Sequence, residues 1–168
     1  LFGRKLSELG LNGEFTRRVM NKLGETFALE DLRAGLQGEQ FRLPDGMSQE
    51  DQGAAQGIWM LARSNYEVQF QPEQQLSERI LFPATPSQRN GIEDARFARF
   101  RNDDGTHIYY ATFTAFDGRV VVPELVETSD FLNFRFITLN GPAAENKGMA
   151  IFQQKIGGRY AMLSRQDN

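Results

Sequence analysis

The sequence predicts a mainly β fold that follows an α-helical N-terminal segment. Up to residue 65, apolar residues recur at the three-to-four spacing of amphipathic helices. From residue 66 onward, short runs rich in Val, Ile, Phe, Tyr and Thr are separated by glycine turns, as in strands and hairpins. We therefore expect a helical segment over residues 1–65 and antiparallel sheet over residues 66–168, lengths that suit one sizeable core.

Capping signals divide the helical segment. Asn12 can cap a first amphipathic helix and Thr26 a second one, because short polar side chains accept hydrogen bonds from the first free N–H groups of a helix. Ser48, followed three residues later by Asp51, has the form of a capping box and predicts a further helix. Trp59 in that helix is expected to pack against its neighbours. The apolar stripes of the first two helices are Phe15, Val19 and Leu23, then Leu29, Leu32 and Leu36.

Three glycine turns divide the second segment into hairpins. Asp104-Gly105 and Asp117-Gly118 bound one strand on either side, and Gly157-Gly158 separates two shorter runs. Such dipeptides are typical of tight hairpin turns, so the strands should form an antiparallel meander. The local pattern fits a sandwich, a barrel or propeller blades, and does not choose among them.

Composition excludes several classes of function. The net charge of -3 is too small for a nucleic-acid or anionic-membrane partner, and no apolar run approaches the length of a membrane span. The absence of cysteine and the single histidine argue against a zinc hydrolase and against a metal site in general. We expect a cytoplasmic protein. Because the chain starts at Leu1 without a Met, we also expect it to be an excerpt of a longer one.

A candidate acid stands at the start of one predicted strand. In a regular strand Glu93 and Asp94 face opposite sides, whereas Asp94 and Arg96 share one side. Only one carboxylate can then face a given cleft. Asp94, near apolar Ile92 and Phe97, could serve as a general acid. The alternative is a structural Asp94–Arg96 pair that stiffens a loop.

Basic residues form the second candidate group. Lys147 and Arg165 stand at the two ends of a predicted hairpin and could meet at one rim beside the backbone of Gly148, which would suit a phosphate dianion. The alternative is two solvated cations. His107, next to a turn, is expected to be a surface residue.

Aromatic residues alternate along the predicted strands. Most should lie in the core, but one or two that face a cleft could stack on sugar rings. A sugar-binding module without catalytic activity is therefore an open alternative. The residues concerned are Tyr109, Tyr110, Phe113, Phe116, Phe131, Phe134 and Phe136.

Five motifs occur in an order that resembles a known family. They read "NGIEDARF", "YYATFTAFDGR", "PELVETSDF", "NKGMAIF" and "KIGGRYAMLSRQDN", and they resemble glycoside hydrolase family 130 from about Ser64 to Asn168. The helical segment is similar to the N-terminal extension of a longer subgroup. The resemblance implies a five-bladed β-propeller, of which this chain holds only the first blades. It also implies inverting phosphorolysis, or sometimes hydrolysis, of β-mannosidic linkages.

The resemblance assigns roles to individual residues. It implies that Asp94 is the sole general acid and that Lys147 and Arg165 bind phosphate. The sugar contacts that it implies are Arg96, Asn90, Tyr110 and Asp167. Inorganic phosphate would be a co-substrate, and no other cofactor is expected. The expected partners are thus phosphate and a β-mannoside oligosaccharide, and self-association into a homo-oligomer is left open.

One departure from the family pattern keeps hydrolysis open. The family stretch that usually reads "LFPRKI" is here "IFQQKI", so that Gln153 and Gln154 replace a proline and a basic residue. An inverting phosphorylase needs one acid and a cationic pocket, because phosphate arrives already anionic. A hydrolase needs a second carboxylate as base, which would lie beyond Asn168, as would the remaining phosphate ligands.

Overall fold

The computed structural model describes residues 2–42 and 46–165. The chain forms two compact units, Leu1–Arg63 and Ser64–Asn168. The first unit is helical and the second consists mainly of strands. The helices are α1 (Phe2–Glu8), α2 (Glu14–Met20), α3 (Leu29–Gln40) and α4 (Gln49–Ser64). No helix in these ranges is long and apolar enough to cross a membrane.

The helical unit has its own apolar core. Trp59 packs against this core, as predicted. Helix α4 confirms the predicted cap, since the Asp51 N–H donates to Ser48 Oγ at 3.0 Å. The fully buried core side chains are Leu6, Phe15, Val19, Leu32, Ile58 and Leu61.

Two other predicted caps are wrong. Helix α2 has Gly13 at its N-cap and receives no side-chain cap, so Asn12 does not cap it. Helix α3 begins at Leu29 after Ala28, two residues beyond Thr26. A side chain of the helix itself stabilises the first turn, because the Ala28 N–H donates to the carboxylate of Asp31 at 2.8 Å.

The strands confirm the predicted antiparallel meander. The main sheet has five strands in the order β1-β5-β4-β3-β2, and β6 pairs with β7 in a separate hairpin. All neighbours are antiparallel. Asp104-Gly105 joins β2 to β3 and Asp117-Gly118 joins β3 to β4, as predicted. The strands are β1 (Tyr66–Gln69), β2 (Ile92–Arg101), β3 (His107–Phe116), β4 (Val121–Thr128), β5 (Asn133–Thr138), β6 (Ala150–Ile151) and β7 (Met162–Leu163).

An open antiparallel sheet beside a second hairpin is compatible with part of a propeller. Within the described residues the strands do not close into a complete one. Strand β2 forms one edge of the main sheet, so one side of it has no strand neighbour there. His107 begins β3 and is exposed, as predicted.

The two faces of the main sheet differ in character. One, which we call the core face, carries buried apolar side chains such as Phe113, Val126 and Phe136. The opposite face, which we call the threonine face, carries Thr112 and Thr114 of β3, both 2% exposed. The segment before β6 lies against the threonine face, because Thr112 Oγ1 donates to the Met149 carbonyl at 2.6 Å. The segment that carries the basic residue Lys147 therefore lies on the threonine face.

Candidate functional site

Strand β2 is interrupted by a β-bulge at the candidate acid. Glu93 pairs with Thr114 and Arg96 pairs with Thr112, so two residues of β2 stand opposite the single Phe113 of β3. Asp94 begins this extra step with a φ of 57°. Among residues with a side chain, Asp and Asn tolerate this left-handed conformation best. The bulge therefore carries the candidate acid in a backbone geometry that few residues adopt.

The bulge overturns the expected distribution of side chains between faces. Regular alternation puts Asp94 and Arg96 on one side and Glu93 on the other. The extra residue shifts the alternation of side chains by one position. Glu93 and Arg96 therefore both lie on the threonine face, because they pair with Thr114 and Thr112 of that face. Asp94 stands within the irregularity itself. The expectation that Glu93 and Arg96 lie on opposite faces is wrong, because it assumed a ladder without insertions.

Asp94 borders open space on the core face of the sheet. On the core face it lines a cavity of about 280 Å³ together with Leu81 and Phe97. On the threonine face it lies beside Gly148 and Met149, where the gap between them is too small for a water molecule. Within residues 2–42 and 46–165, its carboxylate makes no hydrogen bond or ion pair. The group is exposed and available to a ligand.

The turn formed by Asn146, Lys147 and Gly148 brings basic residues to this bulge. Lys147 Nζ lies 3.3 Å from Glu93 Oε1. Gly148 has a φ of 84°, and a Cβ added there would lie 3.7 Å from the Arg96 guanidinium. The positive φ is what favours glycine at position 148, and the Arg96 guanidinium lies beside this turn.

Arg165 reaches the same turn from the far end of the hairpin. Ala150 pairs with Leu163, so the chain before β6 and the chain after β7 lie at the same end of the hairpin. Asn146 Oδ1 accepts hydrogen bonds from the Lys147 N–H at 2.8 Å and from the Arg165 guanidinium at 3.3 Å. The structure therefore brings Arg96, Lys147 and Arg165 to the 146–148 turn. Asp94 of the bulge borders the same turn at Gly148.

Tyr110, another residue of the predicted site, lies elsewhere on the sheet. Tyr110 pairs with Ala98, roughly 13 Å along β2 from Asp94 at about 3.3 Å per residue. It is 9% exposed and lies under Tyr160, with ring centroids 6.1 Å apart. Burial, then the hydrogen bond with Tyr160, raises the pKa of Tyr110 well above its usual range. Asp167 lies outside the described residues.

Asn90 stands at the β3–β4 end of the sheet. Its N–H donates to the Phe116 carbonyl at 2.9 Å. Its exposed side chain lies beside Gly118, where an added Cβ would come within 3.3 Å of the Asn90 amide. Asn90 is thus fixed through its backbone, four positions before Asp94.

The sequence analysis missed a buried carboxylate near the entry to β2. Glu124 of β4 is 1% exposed and accepts hydrogen bonds from Ser87 Oγ at 2.7 Å and Gln88 Nε2 at 2.6 Å. Burial raises the pKa of Glu124, while these two hydrogen bonds lower it in part. A signal was present, because Glu124 occupies a core-facing position between Val122 and Val126 where alternation calls for an apolar residue.

Taken together, the chain has a helical unit and an antiparallel β unit, and in the described residues the Asp94 carboxylate of the β unit has no partner and lies near basic residues. Over 86 residues the chain is 38% identical to the beta-1,2-mannobiose phosphorylase of Listeria innocua serovar 6a. The match covers 51% of this chain and 22% of the relative, so the chain spans about a fifth of the relative's length. No protein-family model matches the chain, and no solved structure matches it significantly. A relationship to mannoside phosphorylases is therefore supported over part of the chain only.

Proposed function

We propose that this chain is part of a β-mannoside phosphorylase in which Asp94 is the general acid and Lys147 and Arg165 hold inorganic phosphate. The observation that carries the proposal is the position of Asp94, whose exposed carboxylate has no partner in the described residues and stands at the β2 bulge beside the 146–148 turn. Lys147 of this turn pairs with Glu93, next to Asp94, and Arg165 bonds to Asn146 of the same turn. The partial match to a beta-1,2-mannobiose phosphorylase supports the same choice of substrate class.

The proposed reaction needs one acid and one anionic nucleophile. A phosphate oxygen attacks the anomeric carbon of the terminal mannosyl unit from the side opposite the leaving sugar. The bond from that carbon to the glycosidic oxygen breaks, and the proton of the Asp94 carboxyl passes to that oxygen. The products are mannose 1-phosphate with inverted configuration and a sugar shortened by one unit. No second carboxylate is required, because phosphate needs no base to activate it.

The charges around the turn suit a phosphate ion. Lys147 and Arg165 are two cations, and Glu93 is the only carboxylate paired with either of them in the described part of the chain. The Lys147–Glu93 pair is exposed, with side chains 41% and 57% accessible, and exposed pairs contribute little stability. Phosphate can therefore recruit Lys147 from Glu93 at low cost. Arg96, together with Asn90 and Asp167, stays a predicted sugar contact.

The reaction itself is tested with the intact protein and β-mannobioses, in the presence and absence of inorganic phosphate. We expect mannose 1-phosphate to form only when phosphate is present. Release of free mannose without phosphate would instead identify a hydrolase. Sugar binding without any turnover would identify a carbohydrate-binding protein, and either result would contradict the proposal.

The acid is tested by Asp94→Asn. Asparagine also tolerates the left-handed conformation at position 94, so this variant removes the proton without straining the bulge. We expect a rate loss of about a hundred- to ten-thousand-fold on a natural disaccharide. A mannosyl fluoride should recover much of the loss, because its leaving group needs little protonation. Asp103→Asn, in the exposed β2–β3 turn, is the matched control. Near-normal turnover of Asp94→Asn would remove Asp94 from the mechanism.

A further inference from the structure

Residues 84–91 form the segment that immediately precedes β2 and its bulge at Asp94. Its end nearest the bulge is fixed by backbone hydrogen bonds to β3. The Asn90 N–H donates to the Phe116 carbonyl at 2.9 Å, and the Phe116 N–H donates to the Gly91 carbonyl at 3.1 Å. Strand β2 then begins at Ile92, two positions before the candidate acid.

The other end of the segment is fixed by the side chain of Gln88, which is fully buried. Its Oε1 accepts hydrogen bonds from the Ala84 N–H at 2.9 Å and from the Tyr66 hydroxyl at 3.0 Å. A backbone N–H can only donate, so the amide oxygen must face Ala84 and the amide nitrogen must face away. That nitrogen donates to Glu124 Oε2 at 2.6 Å.

Glu124 of the sheet holds the Gln88 end of the segment through hydrogen bonds. Its second oxygen accepts from Ser87 Oγ at 2.7 Å, and Ser87 is itself bonded to Thr85 Oγ1 at 2.8 Å. Phe113 is its neighbour in register on β3, on the core face. An apolar residue would match Phe113 and avoid the cost of burying a carboxylate. What Glu124 adds is therefore a pair of hydrogen bonds that hold the segment.

We propose that Glu124 is a positioning residue for the acid at Asp94, a role that rests on the function proposed above. Asp94 makes no side-chain hydrogen bond in the described part of the chain, so its carboxylate is placed by the backbone alone. That backbone continues from the segment that Glu124 fastens. A shift of about 1 Å in a reacting group can cost about a hundredfold in rate, so loosening the segment should lower turnover.

The test compares Glu124→Leu with Glu124→Gln in the intact protein, well below the temperature of unfolding. Glu124→Leu should lower kcat on a β-mannobiose by about tenfold or more and leave the KM for phosphate nearly unchanged, because Lys147 and Arg165 lie on another segment. It should also speed amide hydrogen exchange at Asn90 and Gly91. Glu124→Gln keeps an acceptor for Gln88 and a donor for Ser87, and should restore most of both properties.

Several results would overturn the proposal. A folded Glu124→Leu protein with normal kcat and unchanged exchange over residues 84–91 would do so, as would a loss confined to the KM for phosphate. Should Glu124→Leu fail to fold, Ser87→Ala removes one of the two hydrogen bonds, and normal kcat together with unchanged exchange in that variant would overturn the proposal equally. Faster exchange in a protein whose wild type performs no phosphorolysis would refute the proposed function while leaving the fastening role of Glu124 in place.

Discussion

Two buried glutamates, one in each unit, are held in opposite ways. Glu39 of α3 is 1% exposed, and its partners within residues 2–42 and 46–165 are cations: Arg18 at 2.8 Å, Lys22, and Arg42 at 3.9 Å. Glu124 of β4 is equally buried and meets neutral donors. The Lys22 hydrogen bond, followed by the Arg18 hydrogen bond, lowers the pKa of Glu39. Burial raises that of Glu124.

The difference shows that burial alone does not determine what a carboxylate does. Glu39 accepts charged hydrogen bonds from side chains that are partly in water, and so ties α2 to α3 at the surface of the helical unit. Among the described residues, Glu124 has no ion-pair partner to offset its desolvation, so its value lies in the geometry that it imposes. The two residues should therefore respond in opposite directions to pH and unequally to replacement.

The largest effect is expected for Glu124→Leu. The change leaves Gln88 Nε2 buried without an acceptor, at about 1–3 kcal/mol, and leaves Ser87 Oγ with Thr85 Oγ1 as its remaining partner. Amide exchange of β3 and β4 should report this loss in the free energy of unfolding, while amides of α2 and α3 stay unchanged. An equal loss in the free energy of unfolding of both units would show that they unfold together and would contradict the comparison between Glu39 and Glu124.

A smaller effect is expected from pH acting on Glu124. Its folded-state pKa lies above the ordinary value of 4.5, so unfolding releases a proton in the window between the two values. The free energy of unfolding of the sheet unit should therefore fall as pH rises above 4.5, by at most about 1.4 kcal/mol per pH unit. Glu124→Gln should remove this slope. A wild-type slope that persists in Glu124→Gln would assign it to another group.

The smallest effect is expected for Glu39→Gln. Arg18 and Lys22 are about a third exposed and can return to water, so the loss should be about 1 kcal/mol in the helical unit. The folded-state pKa of Glu39 is lowered, so its contribution is present above the ordinary value of 4.5 and disappears as pH falls through the lowered value. The difference between wild type and variant should accordingly vanish in acid. A difference that grows in acid would contradict the ion-pair explanation.

Sequence reasoning succeeded where structure depends on a few consecutive residues. The turns at Asp104-Gly105 and Asp117-Gly118 fix two hairpins through their own backbone preferences. The Ser48 cap formed for the same local reason. Asn12 and Thr26 failed because a polar side chain caps a helix only where the helix begins, and packing starts α2 and α3 at later positions.

The candidate site was predictable only in part. Lys147 and Arg165 lie at the same turn because their hairpin returns the chain to the same end, as its glycine turn indicated, and both bond to Asn146. The bulge at Asp94 left no sign in the apolar pattern, since alternation assumes one residue opposite another. Tyr110 could not be separated from a cleft residue, because its burial depends on Tyr160, fifty positions later in the chain.

The bulge also makes the position of the candidate acid depend on the number of residues in β2. Strand β2 holds one residue more than β3 requires between the Glu93–Thr114 and Arg96–Thr112 pairs. Deleting Ala95 would keep both pairs and every later one, so the same sheet would form with the same apolar pattern. Asp94 would then stand opposite Phe113 and turn into the core face. A single-residue gap in an aligned sequence at this position would thus preserve the architecture while withdrawing the acid from the basic turn.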